Sequence, residues 1–161
     1  LLENHPDVHF LLAGRGVDQN NPAICRLMRS IKHKANFHIL GERNDINHIY
    51  TASDIASSCS YGEGFPNVVA EAMAAGVPCV VTDAGDSGLI VGKTGLIVPV
   101  QDHQALALAW HRMIEIGPES RFQLGEMAAK RIQTRFSLAD IAATYESFYY
   151  SLTCNSPLGS R

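Results

Sequence analysis

Short apolar segments that alternate with helical segments limit most strongly how this chain of 161 residues can fold. Strands are predicted at residues 8–13, 36–40, 54–59, 77–82 and 95–98, and helices at about 22–32, 46–52 and 66–76. Helices that separate consecutive strands are typical of right-handed crossovers between parallel strands. We therefore predict an α/β fold, with a doubly wound parallel sheet that helices cover on both faces.

The last third of the chain is predicted to be helical. One apolar face repeats at helical spacing, and we expect its tryptophan to anchor the core: Leu106, Ala109, Trp110, Met113 and Ile114. The segment from Ser137 to Asp140 has the form of a capping box. The helix that it opens carries an apolar stripe that suggests docking on another surface, formed by Ile141, Tyr145, Phe148, Tyr149 and Leu152.

The two ends of the chain differ from the alternating pattern. Residues 1–4 have the pattern of the last turn of a helix, so we expect an upstream part that is absent here. The polar residues 155–161 are predicted to be a disordered tail. One domain over residues 1–154, truncated at its N-terminus, is the expected organisation.

Charge and composition argue against several classes of function. The chain has 13 Lys and Arg against 16 Asp and Glu, without the basic excess that nucleic-acid or anionic-membrane binding requires. No apolar run approaches the roughly 18 residues of a membrane span, and no leader opens the sequence, which favours a cytoplasmic location. The four cysteines lack C-x-x-C spacing and the seven histidines lack H-E-x-x-H spacing, so we expect no metal site.

Ligands of open parallel sheets bind beyond the carboxyl ends of the strands, so the loops there are the candidate sites. Gly14-Arg15-Gly16 resembles a dinucleotide fingerprint, but Gln19 occupies the position of its third glycine. Gly92-Lys93-Thr94 resembles part of a phosphate-binding loop, but Ser87 occupies the position of the required first glycine. Neither segment predicts a nucleotide site.

The loop from Glu63 to Pro66 carries the most information. Glycines flank Glu63, and a helix N-terminus with free amides follows, an arrangement that attracts phosphate. Glu63 and Glu71 can face one pocket, where carboxylates would accept hydrogen bonds from neutral hydroxyl groups rather than contact phosphate. A phosphate flanked by polyols describes a nucleotide sugar. The alternative from spacing alone is that Glu63 is a solvated loop residue and Glu71 only a favourable helical charge.

At these residues the sequence resembles the retaining, two-domain GT-B glycosyltransferases of family 4, or group 1. The most specific segment is Ser60-x-x-Glu63-Gly64-Phe65-Pro66-Asn67-x-x-x-Glu71-Ala72-Met73-Ala74-x-Gly76-x-Pro78, which contains the E-x7-E signature. The turns around Thr82-Asp83 and Thr94-Gly95 add to the resemblance, which covers nearly the whole chain. It implies a Rossmann-like domain, the C-terminal half of a GT-B fold.

The resemblance also implies a role for each site residue. Glu71 would bind the ribose hydroxyls of the donor, and Glu63 would lie at the transferred sugar as the catalytic candidate. Backbone groups around the loop would hold the sugar and the diphosphate, at Gly64, Phe65, Pro66, Asn67 and Val68. Pro66 has no N–H, so the amides of Asn67 and Val68 are the expected donors. The base would lie near Gly41, Glu42 and Arg43, and Arg15 is a further candidate.

The partners implied by the resemblance are a nucleotide diphosphate sugar and an N-terminal domain of the same protein, with no metal or other cofactor. The family's diphosphate-binding Arg and Lys would precede Leu1, so the chain alone is expected to be inactive. The apolar stripe of the last helix could instead form a dimer, and the complete protein could lie at the inner face of the membrane. Two alternatives stay open: a nucleotide-sugar epimerase of similar architecture and a flavodoxin-like regulatory domain without enzymatic activity.

Overall fold

A computed structural model describes residues 1–154, and the predicted tail at 155–161 lies outside the described residues. The strands are β1 (Phe10–Ala13), β2 (Phe37–Gly41), β3 (Ala56–Ser58), β4 (Cys79–Thr82) and β5 (Leu96–Val98). The helices are α1 (Pro22–Ser30), α2 (Ile46–Thr51), α3 (Asn67–Ala74), α4 (Ser87–Val91), α5 (His103–Glu115), α6 (Gly117–Arg135) and α7 (Leu138–Cys154). A short 3₁₀ turn at Lys34–Asn36 precedes β2.

All strand pairs are parallel, which confirms the predicted α/β class. β1 pairs with β2, with Phe10 opposite Phe37, and β4 pairs with β3 on one side and β5 on the other. The described strands form two sheets, β1-β2 and β3-β4-β5, rather than one continuous sheet. Open cavities of about 460 and 230 Å³ lie between β1 and β3, and Leu11 and Ser57 line both of them.

Strand β4 lies at the centre of the core because its two faces pack against different helices. On one face Cys79 and Val81 join a buried cluster with Met73 of α3 and Ala128 of α6. On the other face Val80 packs with Met113 in a second buried cluster that includes Ala109 of α5. This two-sided cover explains why the segment is a continuous apolar run and not an alternating one.

Trp110 of α5 connects the two sheets. Its indole ring lies edge-on to Phe10 of β1, with ring centroids 5.5 Å apart. Its Nε1–H donates to Ser57 Oγ of β3 at 3.0 Å, and the Ser57 hydroxyl donates to the carbonyl of Val80. The predicted role of Trp110 as an anchor of the core is therefore confirmed.

Several boundaries predicted from the sequence were wrong. The turn at residues 1–4 is not among them, because the amides of Asn4 and His5 both donate to the carbonyl of Leu1, which is the bonding of a single helical turn. Strands β1 and β3 are shorter than predicted, and Cys59 follows β3 as an exposed residue and not as part of a buried strand. Helix α4 has only five residues, too few to show a helical period, and was missed.

The C-terminal helices agree with the sequence pattern. The backbone N–H of Asp140 donates to Ser137 Oγ at 3.1 Å, so the predicted cap is present at the start of α7. The aromatic residues of the α7 stripe are more than half exposed, at 59% for Tyr145 and 57% for Phe148. That the stripe docks on another surface stays a prediction. No helix among residues 1–154 combines the length and apolar character needed to cross a bilayer.

We expect Trp110→Ala to lower the free energy of unfolding by about 2–4 kcal/mol, because it removes the ring contact to β1 and the hydrogen bond to β3. Urea denaturation measures the change. Leu108→Ala is the matched control on the same helix, since Leu108 is 47% exposed, and its effect should be within about 0.5 kcal/mol. Equal losses in the two variants would contradict the connecting role of Trp110.

Candidate functional site

The loop between β3 and α3 lies at the carboxyl edge of the parallel strands, where the sequence predicts the site. Two hydrogen bonds hold it against the segment after β4. The Thr82 hydroxyl donates to the carbonyl of Ser60 in a short contact, and the Asp86 N–H donates to the carbonyl of Gly64 at 2.9 Å. The position of the loop therefore depends on β4, the most buried strand.

Gly85 allows this close approach of the two segments. Its φ of +53° is in the region that favours glycine. A Cβ at this position would collide with the carbonyl oxygens of Glu63 and Gly64. The two loop glycines differ from it, because a Cβ on Gly62 or Gly64 would meet nothing within 4 Å. The outer side of the loop is thus open, as a backbone that contacts a ligand requires.

The N-terminus of α3 presents backbone donors. Pro66 is the buried cap residue, and its carbonyl accepts from the amides of Val69 at 3.0 Å and Ala70 at 3.5 Å. The amides of Asn67 and Val68 have no acceptor among the described residues, and both side chains are exposed. Unpaired amides at a helix start carry partial positive charge and suit an anion.

Glu63 is an exposed residue held within its own loop. Its Oε1 accepts a hydrogen bond of 2.7 Å from the Ser60 hydroxyl. The bond leaves the carboxylate at the surface, where its other oxygen has no donor among the described residues. Glu63 can therefore accept a hydrogen bond from a ligand without losing its local support.

Glu71 lies on α3, with its carboxylate next to a buried phenol. The Tyr50 hydroxyl of α2 donates to Glu71 Oε2 at 3.3 Å. Burial, and then the nearby Glu71 charge, raise the pKa of Tyr50 to about 12, so this phenol stays protonated at neutral pH. Glu71 is exposed, and its Oε1 has no donor in the described part of the chain. One carboxylate oxygen is thus positioned by Tyr50, and the other can accept from a ligand.

The remaining candidates lie on the neighbouring loops. The carbonyl of Gly41 accepts from the Gly14 amide at 2.9 Å, which joins the loops after β1 and β2. Arg43 donates two hydrogen bonds, of 2.7 and 2.6 Å, to Asp45. This contact lowers the pKa of Asp45 and raises that of Arg43. Glu42 and Arg15 are exposed.

The structure brings these loops to one edge of the fold. Residues from three different elements line the cavity of about 230 Å³: Ala13 at the end of β1, Ile46 and Tyr50 of α2, and Val68 of α3. Neither Glu63 nor Glu71 lines any of the three cavities described between residues 1 and 154, and both residues are exposed. That the two glutamates face one pocket stays a prediction.

Sequence reasoning missed the supports of the two glutamates. Tyr50 lies in the helix predicted at residues 46–52, and only its tertiary contact with Glu71 gives it a role. Asp45 was missed as the partner of Arg43, although the two residues are close in sequence. Gly85 lies just after the Thr82-Asp83 turn, and its function as a spacer needs the contact with Glu63 and Gly64.

The described residues include one group with the donor atoms of a metal site, formed by His5, His111 and Glu115. His5 precedes β1 and Glu115 ends α5, so the group lies at the amino edge of the strands, opposite the loop. The sequence expectation of no metal site was based on histidines scattered along the chain, and the fold brings two of them together here. That no metal takes part in donor binding stays a prediction.

Comparison with known proteins decides the family. The family described as Glycosyl transferases group 1 matches residues 1–115. The chain belongs to the group 1 glycosyltransferases. N-acetyl-alpha-D-glucosaminyl L-malate synthase of Bacillus anthracis is 29% identical over 154 residues, which cover 91% of this chain and 38% of that protein.

Two solved structures place this glycosyltransferase chain among GT-B folds. Sucrose-phosphate synthase of Thermosynechococcus elongatus is 29% identical with a TM-score of 0.77, over 91% of this chain and 39% of that one. HepE of Anabaena, solved in complex with UDP-glucose, is 24% identical with a TM-score of 0.77, over 91% of this chain and 42% of that one. The chain has the fold of the C-terminal half of a GT-B glycosyltransferase and spans about 38% of the length of such relatives.

We expect Gly85→Ala to lower the free energy of unfolding by about 2–4 kcal/mol, because the positive φ and the contact with the loop carbonyls both penalise a Cβ. Chemical denaturation measures the loss. Gly62→Ala is the control, since its Cβ would meet open space, and it should change stability by about 0.5 kcal/mol or less. A tolerated Gly85→Ala would mean that the loop does not depend on this close approach.

Proposed function

We propose that residues 1–154 form the donor-binding domain of a retaining glycosyltransferase that moves a sugar from a nucleotide diphosphate sugar to a glycan or lipid-linked acceptor. The observation that carries the proposal is the N-terminus of α3, where two amides without acceptors among the described residues lie between the exposed residues Glu63 and Glu71 in the sequence. Membership of the family supports it, and so does the shared fold with HepE, which was solved with UDP-glucose.

Each part of the nucleotide sugar would be bound by a different group of the candidate site. The amides of Asn67 and Val68 would donate to the diphosphate, with the helix dipole behind them. Glu71 would accept from the ribose hydroxyls through the oxygen that Tyr50 does not occupy. Glu63 would accept from a hydroxyl of the transferred sugar. Carboxylates accept hydrogen bonds from hydroxyl groups and are repelled by phosphate, so the two glutamates should contact the two sugars of the donor, while the diphosphate contacts the amides.

The same groups would assist the reaction. As the sugar leaves, negative charge grows on the diphosphate while the sugar becomes oxocarbenium-like. The helix N-terminus would stabilise the growing charge because its dipole is already oriented. Glu63 would hold the sugar in position beside it. Retention of configuration, and the absence of a metal from this step, follow from the family resemblance and belong to the proposal.

The separation of β1 from β3 supports the view that the domain is incomplete at its N-terminal side. Both strands present an edge to cavities of about 460 and 230 Å³, and exposed apolar side chains such as Leu11 face this region. Unpaired edges of this kind pair readily with another strand. We propose that a parallel strand from an upstream part of the protein fills the gap.

The proposal also covers activity, partners and location. The chain alone would be inactive, because an N-terminal domain would bind the acceptor and upstream cations would complete the diphosphate site. Arg43 offers little help, since Asp45 already engages its guanidinium. The family match favours the transferase over the epimerase and the regulatory domain. Cytoplasmic location, peripheral membrane contact and a dimer through α7 stay predictions.

In the full-length protein we expect Glu71→Gln to weaken binding of the nucleoside diphosphate about 10- to 100-fold, since a hydrogen bond to a charged acceptor contributes about 1.5–3 kcal/mol. The transfer rate at low donor concentration should fall to a similar extent. Calorimetry measures the affinity of the best ligand from a screen of nucleoside diphosphates, and a coupled assay measures transfer.

The matched control is Glu126→Gln on α6, where the same change of charge is made at an exposed position of another helix. It should leave affinity and rate unchanged. If Glu71→Gln behaved like this control, the glutamate would have no part in donor binding, and the proposed site would be wrong.

We also expect the 161-residue chain to bind the same nucleoside diphosphate about 10²- to 10⁴-fold more weakly than the full-length protein, because two charge-assisted contacts would be missing. Calorimetric titration of both proteins tests this. The amides of β1 and β3 should exchange more slowly in the full-length protein, where the gap is filled. Equal affinity and equal exchange would show that the domain is already complete.

A further inference from the structure

Three side chains with metal-binding atoms meet far from the candidate donor site. His5 lies in the turn before β1, and His111 and Glu115 lie one turn apart on α5. The ligand atoms of the three residues all lie within 4.8 Å of one another. The function proposed above uses none of them.

The distances are close to those of a tetrahedral site. His5 Nε2 lies 2.7 Å from His111 Nδ1 and 3.7 Å from Glu115 Oε1. Ligands at about 2.0–2.2 Å from a zinc ion are separated by roughly 3.3–3.5 Å in tetrahedral geometry. The histidine pair must open by roughly 0.6–0.8 Å and the His5–Glu115 pair must close by roughly 0.2–0.4 Å, while the atoms of the third pair lie no more than 4.8 Å apart. Small side-chain rotations supply such movements.

The backbone that carries these side chains is well held. The amide and carbonyl of His5 are both hydrogen-bonded, to Leu1 and to Val8. The Asn36 amide group donates to the carbonyls of Pro6 at 2.7 Å and Val8 at 2.8 Å, which fixes the same turn. Helix α5 is anchored by buried Ala109 and Met113. The ligands are therefore brought together before any ion binds.

We propose that His5, His111 and Glu115 bind one divalent transition-metal ion of the zinc type. Two imidazoles and one carboxylate suit such an ion better than Mg²⁺ or Ca²⁺, which prefer oxygen ligands. The ion takes the lone pairs of His5 Nε2 and His111 Nδ1. The proton that these two nitrogens now share moves through solvent to the other nitrogen of the ring that donates it, so that each neutral imidazole carries its one proton on the nitrogen away from the ion.

The site has three protein ligands, so a water molecule completes the coordination. Glu115 is 60% exposed, which leaves one side of the group open to solvent. The bound ion joins the turn before β1 to the end of α5, two segments that are 106 residues apart at His5 and His111. Its effect is to stabilise the chain, because an ion that binds only the folded state shifts the unfolding equilibrium.

The test is titration of the chelator-treated 161-residue chain with Zn²⁺, followed by calorimetry and by the thermal midpoint. We expect one equivalent to bind and the midpoint to rise. Co²⁺ should bind in place of Zn²⁺ with the visible absorption of a four-coordinate site. Mg²⁺ should have no effect at the same concentration.

Variants locate the site. His111→Gln should abolish one-equivalent binding, and Glu115→Gln should weaken it about tenfold or more. The chain offers a matched control in the pair His9 and His38, whose Nδ1 and Nε2 atoms lie 2.9 Å apart. That pair is not part of the described three-residue group, so His38→Gln should leave zinc binding unchanged. Circular dichroism checks that every variant is folded.

Absence of saturable zinc binding would overturn the proposal. Binding that persists in both His111→Gln and Glu115→Gln would overturn it as well, and so would binding that only His38→Gln removes. Because the readout is metal binding and not sugar transfer, the outcome is independent of the donor-site experiments.

Discussion

Burial of β4 on both faces is the interaction on which the rest of this structure depends. Cys79 and Val81 pack towards α3 and α6, while Val80 packs towards α5. The end of the same strand holds the candidate site, because Thr82 donates to the carbonyl of Ser60. Gly85, just beyond it, lets the following segment contact the loop. The most buried of the described strands thus sets the position of the loop where a ligand would bind.

The charges of the candidate site would suit a sugar donor that carries both phosphate and hydroxyl groups. Backbone amides at the start of α3 favour an anion, and the two glutamates favour hydroxyl groups on either side of it. Tyr50 donates a hydrogen bond that orients the Glu71 carboxylate, and its phenol brings no charge, because its pKa of about 12 leaves it protonated at neutral pH. Arg43 is already engaged by Asp45, so the proposed site would take its cations from an upstream part of the protein.

The two edges of the parallel strands have different chemistry. The carboxyl edge carries the glutamates and the α3 amides, whereas the amino edge carries the group of His5, His111 and Glu115. Trp110 lies between the two sheets and contacts both, so it supports the fold where β1 and β3 are not paired. The candidate site at one edge and the proposed metal site at the other are connected through β4, which holds the loop and packs against α5, the helix that carries His111 and Glu115.

The sequence by itself determined the α/β class, the order of most elements and the loop that carries the candidate site. These features depend on local periodicity, on turn residues and on a motif whose members are close in sequence, such as Glu63 and Glu71. Exact strand ends, the short helix α4 and the exposure of Cys59 were not predictable, because hydrogen-bond register and packing decide them.

Only the tertiary structure decided which distant residues meet. Tyr50 reaches Glu71 across 21 residues, and His5 reaches His111 across 106 residues. Gly85 acquires its importance from the carbonyls of a loop on another segment. Such pairs form because the crossovers place helices from distant parts of the chain on the same sheet. No local pattern in the sequence predicts them, because each partner belongs to a helix, strand or turn that forms from its own local sequence.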